Sequence, residues 1–136
     1  HGMAHALGGR FHIPHGRSNA LLLPDVISYN AGLMGNECPE SLRARARYAE
    51  LAKMLGLPAA NPLAGAYNLI GTVRGLLDTL SFPKGIAGTG LGRQEFEEGL
   101  PDLSRAALED RCTGANPVPV ALEQIEAIYR RAYLGQ

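Results

Sequence analysis

Residues His1–Asn30, HGMAHALGGRFHIPHGRSNALLLPDVISYN, decide how this chain is read. All four histidines of the 136-residue sequence, His1, His5, His12 and His15, fall in the first half of that stretch. Neutral imidazole binds divalent transition metals and titrates near neutral pH, so such a cluster suits a metal site, a proton relay, or both. His1 and His5 share one helical face a turn apart. Gly8-Gly9 is a stop signal for that helix, because glycine takes the left-handed cap conformation readily. A turn from Arg10 to Pro14 carries His12, and a second helix begins near His15-Gly16. Two helices joined in this way bring His1 and His15 together from separate elements, while His1 with His5 is an equally good pair by spacing. A single histidine is more often structural or merely exposed, but the clustering favours chemistry. Cys38 and Cys112 lie far off in sequence, so histidines plus an oxygen ligand fit a catalytic ion better than closed structural zinc. A first-residue histidine can also chelate copper with its α-amine, but the proteins that do so are β-rich, and this sequence is helical in pattern.

Working outward, Pro24 interrupts the apolar run Ala20–Val26 and predicts a break near Leu23-Pro24, with a new helix starting there. Asn19 and Asp25 are expected to cap or bridge helix ends, and Asn30 and Gly35-Asn36 mark the exit. PESLRARARYAELAKML, Pro39–Leu55, has proline and Glu40 at its start, Lys53 near its end and Gly56 beyond. Its inward face reads Ala44, Tyr48, Leu51, Leu55, and Arg43, Arg45 and Arg47 read as a solvated face. Asn61-Pro62 opens a helix over Leu63–Leu80 with inward Leu69, Val73, Leu76 and Leu80, widened by Ile70 and Leu77. Gly65, Gly71 and Gly75 each cost about 1 kcal/mol against alanine there, which predicts a closely packed neighbour. Pro83 and the glycines from Gly85 to Gly92 predict an irregular loop without the lysine and Ser/Thr of a phosphate cradle. Leu100-Pro101 opens a short helix through Asp110 with Leu103, Ala107 and Leu108 inward. The last helix, Val120–Tyr133, places Ala121, Ile125, Ile128 and Ala132 on one stripe.

No sustained period-two pattern occurs, so the fold class is all-α, a bundle of six or seven helices. A zero formal net charge leaves no field for nucleic acid, and no apolar run is long enough to span a membrane. Two cysteines make no disulfide framework, so the expected setting is cytoplasmic.

The opening stretch resembles the signature of the iron-containing (group III) alcohol dehydrogenases, roughly H-x-M-A-H-x-L-G, a short turn, P-H-G-x-x-N-A-x-x-L-P-x-V and a terminal N. A second stretch, Asp110–Pro117, is similar to the D-x-C-T-x-x-N-P pattern those proteins carry before their last helix. The resemblance implies a metal, Fe(II) or Zn(II), held by one aspartate and three histidines, of which His1 and His15 correspond to the last two. It implies that His5 lies near substrate and nicotinamide as a proton-relay residue, and that Cys112 lines the substrate pocket. The corresponding aspartate and first histidine, a D-x-x-x-H pair, would precede His1.

No G-x-G-x-x-G occurs, so NAD or NADP would be bound mainly by an absent N-terminal domain, and no cofactor-binding residue is assigned in this chain. Residues 1–136 are thus expected to be the later part of the helical metal-binding domain of a two-domain dehydrogenase. That enzyme would interconvert a small alcohol with an aldehyde or ketone, with the missing domain as a partner and a homo-oligomer left open. The alternatives are a maleylacetate reductase or glycerol dehydrogenase-like relative, or a non-enzymatic helical module that binds metal or a partner.

Overall fold

A computed structural model describes residues 1–135 of the chain. Six α-helices form, and no strand is present among the described residues: α1 Gly2–Phe11, α2 His15–Asn30, α3 Pro39–Met54, α4 Pro62–Thr79, α5 Arg93–Glu109 and α6 Leu122–Leu134. Single 3-10 turns occupy Ala87–Thr89 and Thr113–Ala115. Helix α2 is the hub, packing against α1, α3, α4 and α6, while α5 backs α1 and α6.

The starts of α3 and α4 follow their local chemistry. Cys38 Sγ accepts from the Ser41 N–H, Ser41 Oγ accepts from the Cys38 N–H at 2.8 Å, and Asn61 Oδ1 accepts from the Ala64 N–H at 2.8 Å. These bonds satisfy N–H groups that have no partner within the helix.

Several boundaries differ from the sequence expectation. Helix α1 passes through Gly8-Gly9 to Phe11 and is capped by His12 at φ 57°. Helix α2 continues unbroken through Pro24. Proline removes only the bond to the Ala20 carbonyl, and Pro24 is buried in the hub, so packing on four neighbours outweighs one lost bond. Helix α5 begins at Arg93 rather than Leu100, because Phe96, fully buried, stacks on Tyr133 of α6 at 4.3 Å between ring centroids and draws the preceding turn into the helix. Part of the glycine-rich loop is ordered by Ile86, which is fully buried and whose N–H donates to the Ala132 carbonyl at 2.9 Å.

Helix faces also moved. In α3 the buried residues are Ser41, Ala44, Ala49 and Ala52, whereas Leu51 and Leu55 are exposed. In α4 Leu69 and Ile70 are buried, and Leu76 and Leu80 are exposed, on the side away from Arg74, which reaches Asp25 of α2. The small α3 face explains Gly65, where an added Cβ would lie 2.7 Å from Ala49 Cβ; at Gly71 and Gly75 it would meet nothing within 4 Å, so close packing accounts for only the first of the three.

The main core joins Leu7 of α1, Leu21 and Leu22 of α2, Leu100 and Leu103 of α5, and Ile125 and Tyr129 of α6. Leu108 and Ala121 lie outside it, exposed at the ends of their stripes. Tyr129 Oη donates to the Met3 carbonyl at 2.7 Å, fixing α1 to α6. Desolvation of that phenol pushes its pKa far above the ordinary tyrosine value. Of the two parts expected of Asp25, cap or bridge, it plays the bridge. It is buried in mid-helix, and its Oδ1 accepts from Arg74 of α4 at 3.4 Å and Arg131 of α6 at 3.3 Å. Arg43 and Arg47 are solvated as expected, but Arg45 is half-buried and donates to the Ala31 carbonyl and to Glu37, both at 2.8 Å, holding the α2–α3 connection.

Candidate metal centre

The helix–turn–helix of α1 and α2 folds back so that the residue before α1 and the first residue of α2 meet. The His1 ring lies 5.6 Å from that of His15 and 6.1 Å from that of His5, and His5 lies 5.2 Å from His15, between centroids. One nitrogen from each of the three falls within 4.8 Å of the other two. A tetrahedral ion with nitrogen bonds of 2.0–2.1 Å needs its donors about 3.4 Å apart, so small rotations of three exposed rings suffice to close on a cation. The donor set therefore fits a divalent transition metal. His12, capping α1, is not among these three.

Glycine makes this arrangement possible. At Gly2 an added Cβ would collide with Thr113 Oγ1 and come within 3.1 Å of both the Ala107 carbonyl and Asp110 Cβ. Without a side chain there, α1 settles onto the end of α5, and His5 meets the segment that leaves it. His5 Nδ1–H donates to Asp110 Oδ2 at 3.0 Å, and the Cys112 N–H donates to Asp110 Oδ1 at 2.8 Å. That backbone N–H first, and the His5 ring second, hold the Asp110 carboxyl below the usual carboxylate range. The bond to Asp110 assigns the proton to Nδ1 and leaves Nε2 of His5 as its basic nitrogen.

Beside the rings opens a cleft of about 460 Å³ between α1, α2, the Thr113–Ala115 turn and α6. His1, Asn19 and Cys112 border it, and Met3, Leu22 and Val26 give it apolar walls. Its size is that of a small-molecule site. Asn19, one turn on from His15, donates from Nδ2 to His15 Nε2 at 2.9 Å and so orients that ring, a part different from the helix-end cap expected of it. The two signature stretches are joined at their asparagines: Asn116 Nδ2 donates to Asn30 Oδ1 at 2.8 Å, and Asn30 Nδ2 to Asn116 Oδ1 at 3.1 Å.

Sequence reasoning brought His1, His5, His15 and Cys112 forward, and the fold brings them together: the three rings meet, Cys112 Sγ lies within 4.8 Å of a His5 nitrogen, and His1 and Cys112 border the cleft. It missed Asp110 as the partner of His5, a pairing across 105 residues that no local pattern reveals. It also missed Asn19 as the neighbour of His15, for which the four-residue spacing on one helix face was a usable signal.

Among the described residues the fold is all-helical, and the imidazoles gathered beside an apolar cleft give it the donor groups of a metal-binding scaffold. Comparison with known proteins narrows this. Residues 1–133 match the model of the Fe-containing alcohol dehydrogenase family, C-terminal, and the chain belongs to that family. It is 38% identical over 147 residues to the bifunctional aldehyde-alcohol dehydrogenase AdhE of Escherichia coli (strain K12), covering 100% of this chain and 16% of that protein. Against 1-propanol dehydrogenase PduQ of Salmonella typhimurium it is 40% identical over 130 residues, covering 94% of this chain and 33% of the relative. Among solved structures, the iron-containing alcohol dehydrogenase from Thermococcus thioreducens superposes with a TM-score of 0.81 at 31% identity, covering 100% of this chain and 32% of that one. The chain thus spans between about a sixth and a third of the length of these relatives. No helix among the described residues is long and apolar enough to cross a membrane.

Proposed function

We infer that this chain is the metal-binding helical part of an NAD(P)-linked alcohol dehydrogenase that interconverts small alcohols with aldehydes or ketones by hydride transfer. The observation that carries the reading is the meeting of His1, His5 and His15 beside an apolar cleft, in a chain of this family. His1 and His15 are the residues proposed to hold Fe(II) or Zn(II), with further ligands and most of the nucleotide site supplied by a separate N-terminal domain. When bound, the ion supplies Lewis-acid polarisation of the substrate oxygen, and the nicotinamide supplies the hydride acceptor.

The chain's own residues orient the substrate and handle its proton. His5 takes or returns the hydroxyl proton at Nε2, directly or through one water, while its Nδ1–H stays bonded to Asp110. The Asp110 carboxylate fixes the ring's tautomer and stabilises the imidazolium formed in transfer, as a carboxylate behind a catalytic histidine does elsewhere. Met3, Leu22 and Val26 exclude water from the carbon chain of the substrate, and Cys112 lines the polar end of the cleft. Both cysteines are free, which suits the reducing cytoplasmic setting we adopt.

The reading is tested in two steps. Equilibrium dialysis of the purified chain should show weak Fe(II) or Zn(II) binding that falls in His1→Ala and in His15→Ala, with no NAD(P)-dependent turnover by the chain alone. Residues 1–133 exchanged for the matching region of the Salmonella 1-propanol dehydrogenase should then support alcohol oxidation, and His15→Ala should abolish it. Turnover that survives His15→Ala would refute the assignment.

A further inference from the structure

A second group of ligating atoms adjoins the histidine cluster and has no metal-binding part in the function proposed above. One nitrogen of His5, a carboxylate oxygen of Asp110 and Sγ of Cys112 all lie within 4.8 Å of one another. We propose that His5, Asp110 and Cys112 form a second divalent-cation site, suited to Zn(II), on the rim of the cleft.

The donor chemistry favours that ion. A thiolate, an imidazole and a carboxylate are the three protein ligand types that zinc accepts, and three of them leave one coordination position open to water. Asp110 and Cys112 as anions together balance the ion's double positive charge, which the all-imidazole group does not.

The geometry is partly prepared. Asp110 leaves α5 in extended conformation, φ −65° and ψ 135°, and its Oδ1 is anchored by the Cys112 N–H at 2.8 Å, which aims Oδ2 at His5. Such outer hydrogen bonds to a ligating carboxylate are what orient a metal site. A cation displaces the proton shared by His5 Nδ1 and Asp110 Oδ2 and sits to one side of the 3.0 Å line between them, the two donors parting by a few tenths of an ångström. With bonds of about 2.0–2.3 Å, zinc needs its donors about 3.3–3.8 Å apart, so Cys112 Sγ has only to swing inward by about an ångström. Binding moves the His5 ring proton from Nδ1 to Nε2 and releases the thiol proton to solvent, with no change of oxidation state. Access is open: the side chains of His5 and Asp110 are 44% and 23% exposed, and Cys112 is exposed.

A loaded site breaks the His5 Nδ1–H bond to Asp110 on which the proton relay proposed above depends, so cation and relay exclude each other; the site itself needs none of the dehydrogenase reading, and the test keeps the two apart. Co(II), a spectroscopic stand-in for zinc, is titrated into the purified chain while the near-ultraviolet absorption is followed. The expected result is a thiolate-to-cobalt charge-transfer band that Zn(II) bleaches by displacement. It should persist in Cys38→Ser and in the His1→Ala, His15→Ala double variant, which lacks the ligands proposed for the catalytic ion, and vanish in Cys112→Ser. Asp110→Asn should weaken cobalt binding by at least tenfold, with helical circular dichroism retained. A folded chain that binds cobalt without the band, or a band that survives Cys112→Ser, overturns the proposal.

Discussion

Replacing Gly2 by alanine probes the contact that seats α1, and with it His1 and His5, against α5. The added Cβ would collide with Thr113 Oγ1 and press on two atoms at 3.1 Å, the Ala107 carbonyl oxygen and Asp110 Cβ. Thr113 Oγ1 donates to that same carbonyl, so its rotation to escape removes a hydrogen bond. Overpacking costs about 1–3 kcal/mol and the lost bond about 1, while alanine's better helix propensity returns up to about 1, leaving a net loss of about 1–4 kcal/mol. Urea denaturation followed by circular dichroism measures this directly. Adding Thr113→Ala to Gly2→Ala removes the colliding atom, so the two changes should couple by about 1 kcal/mol in a double-mutant cycle. A Gly2→Ala chain as stable as the parent, or additive single effects, would refute the idea that this glycine sets the approach of α1.

Asp25 gives a pH-dependent expectation. Burial, outweighing the Arg131 and Arg74 guanidinia, raises its pKa above 3.8. The native state therefore holds the proton more tightly, and stability falls as pH rises from about 3.8 through the folded value. Because Arg74 and Arg131 are themselves 32% and 41% exposed and can take up water, Asp25→Asn should be at least as stable as the parent at neutral pH and converge with it in acid. A loss of more than about 1 kcal/mol at neutral pH would show instead that the buried ion pair holds α2, α4 and α6 together. Asn30→Ala should cost about 1–3 kcal/mol, read by the shift in urea midpoint, because it leaves the Asn116 amide oxygen without its partner from α2. An unchanged midpoint would mean that water replaces Asn30 without loss.

The sequence by itself determined that the chain is helical, where α3 and α4 begin, and that His1, His5 and His15 stand close to a two-helix turn. Those features depend on caps, on apolar periodicity and on spacings of a few residues, which act locally before the chain is packed. It also carried the family, because two long patterns at opposite ends retain their chemistry. Only the tertiary structure decided that α2 runs through Pro24, that α5 starts a full two turns early, and that Leu51, Leu55, Leu76 and Leu80 face outward. Each of these turns on which neighbour supplies burial, a quantity that no window of sequence contains. The pairing of His5 with Asp110 is of the same kind: two residues 105 apart meet because Gly2 lets one helix rest on the end of another.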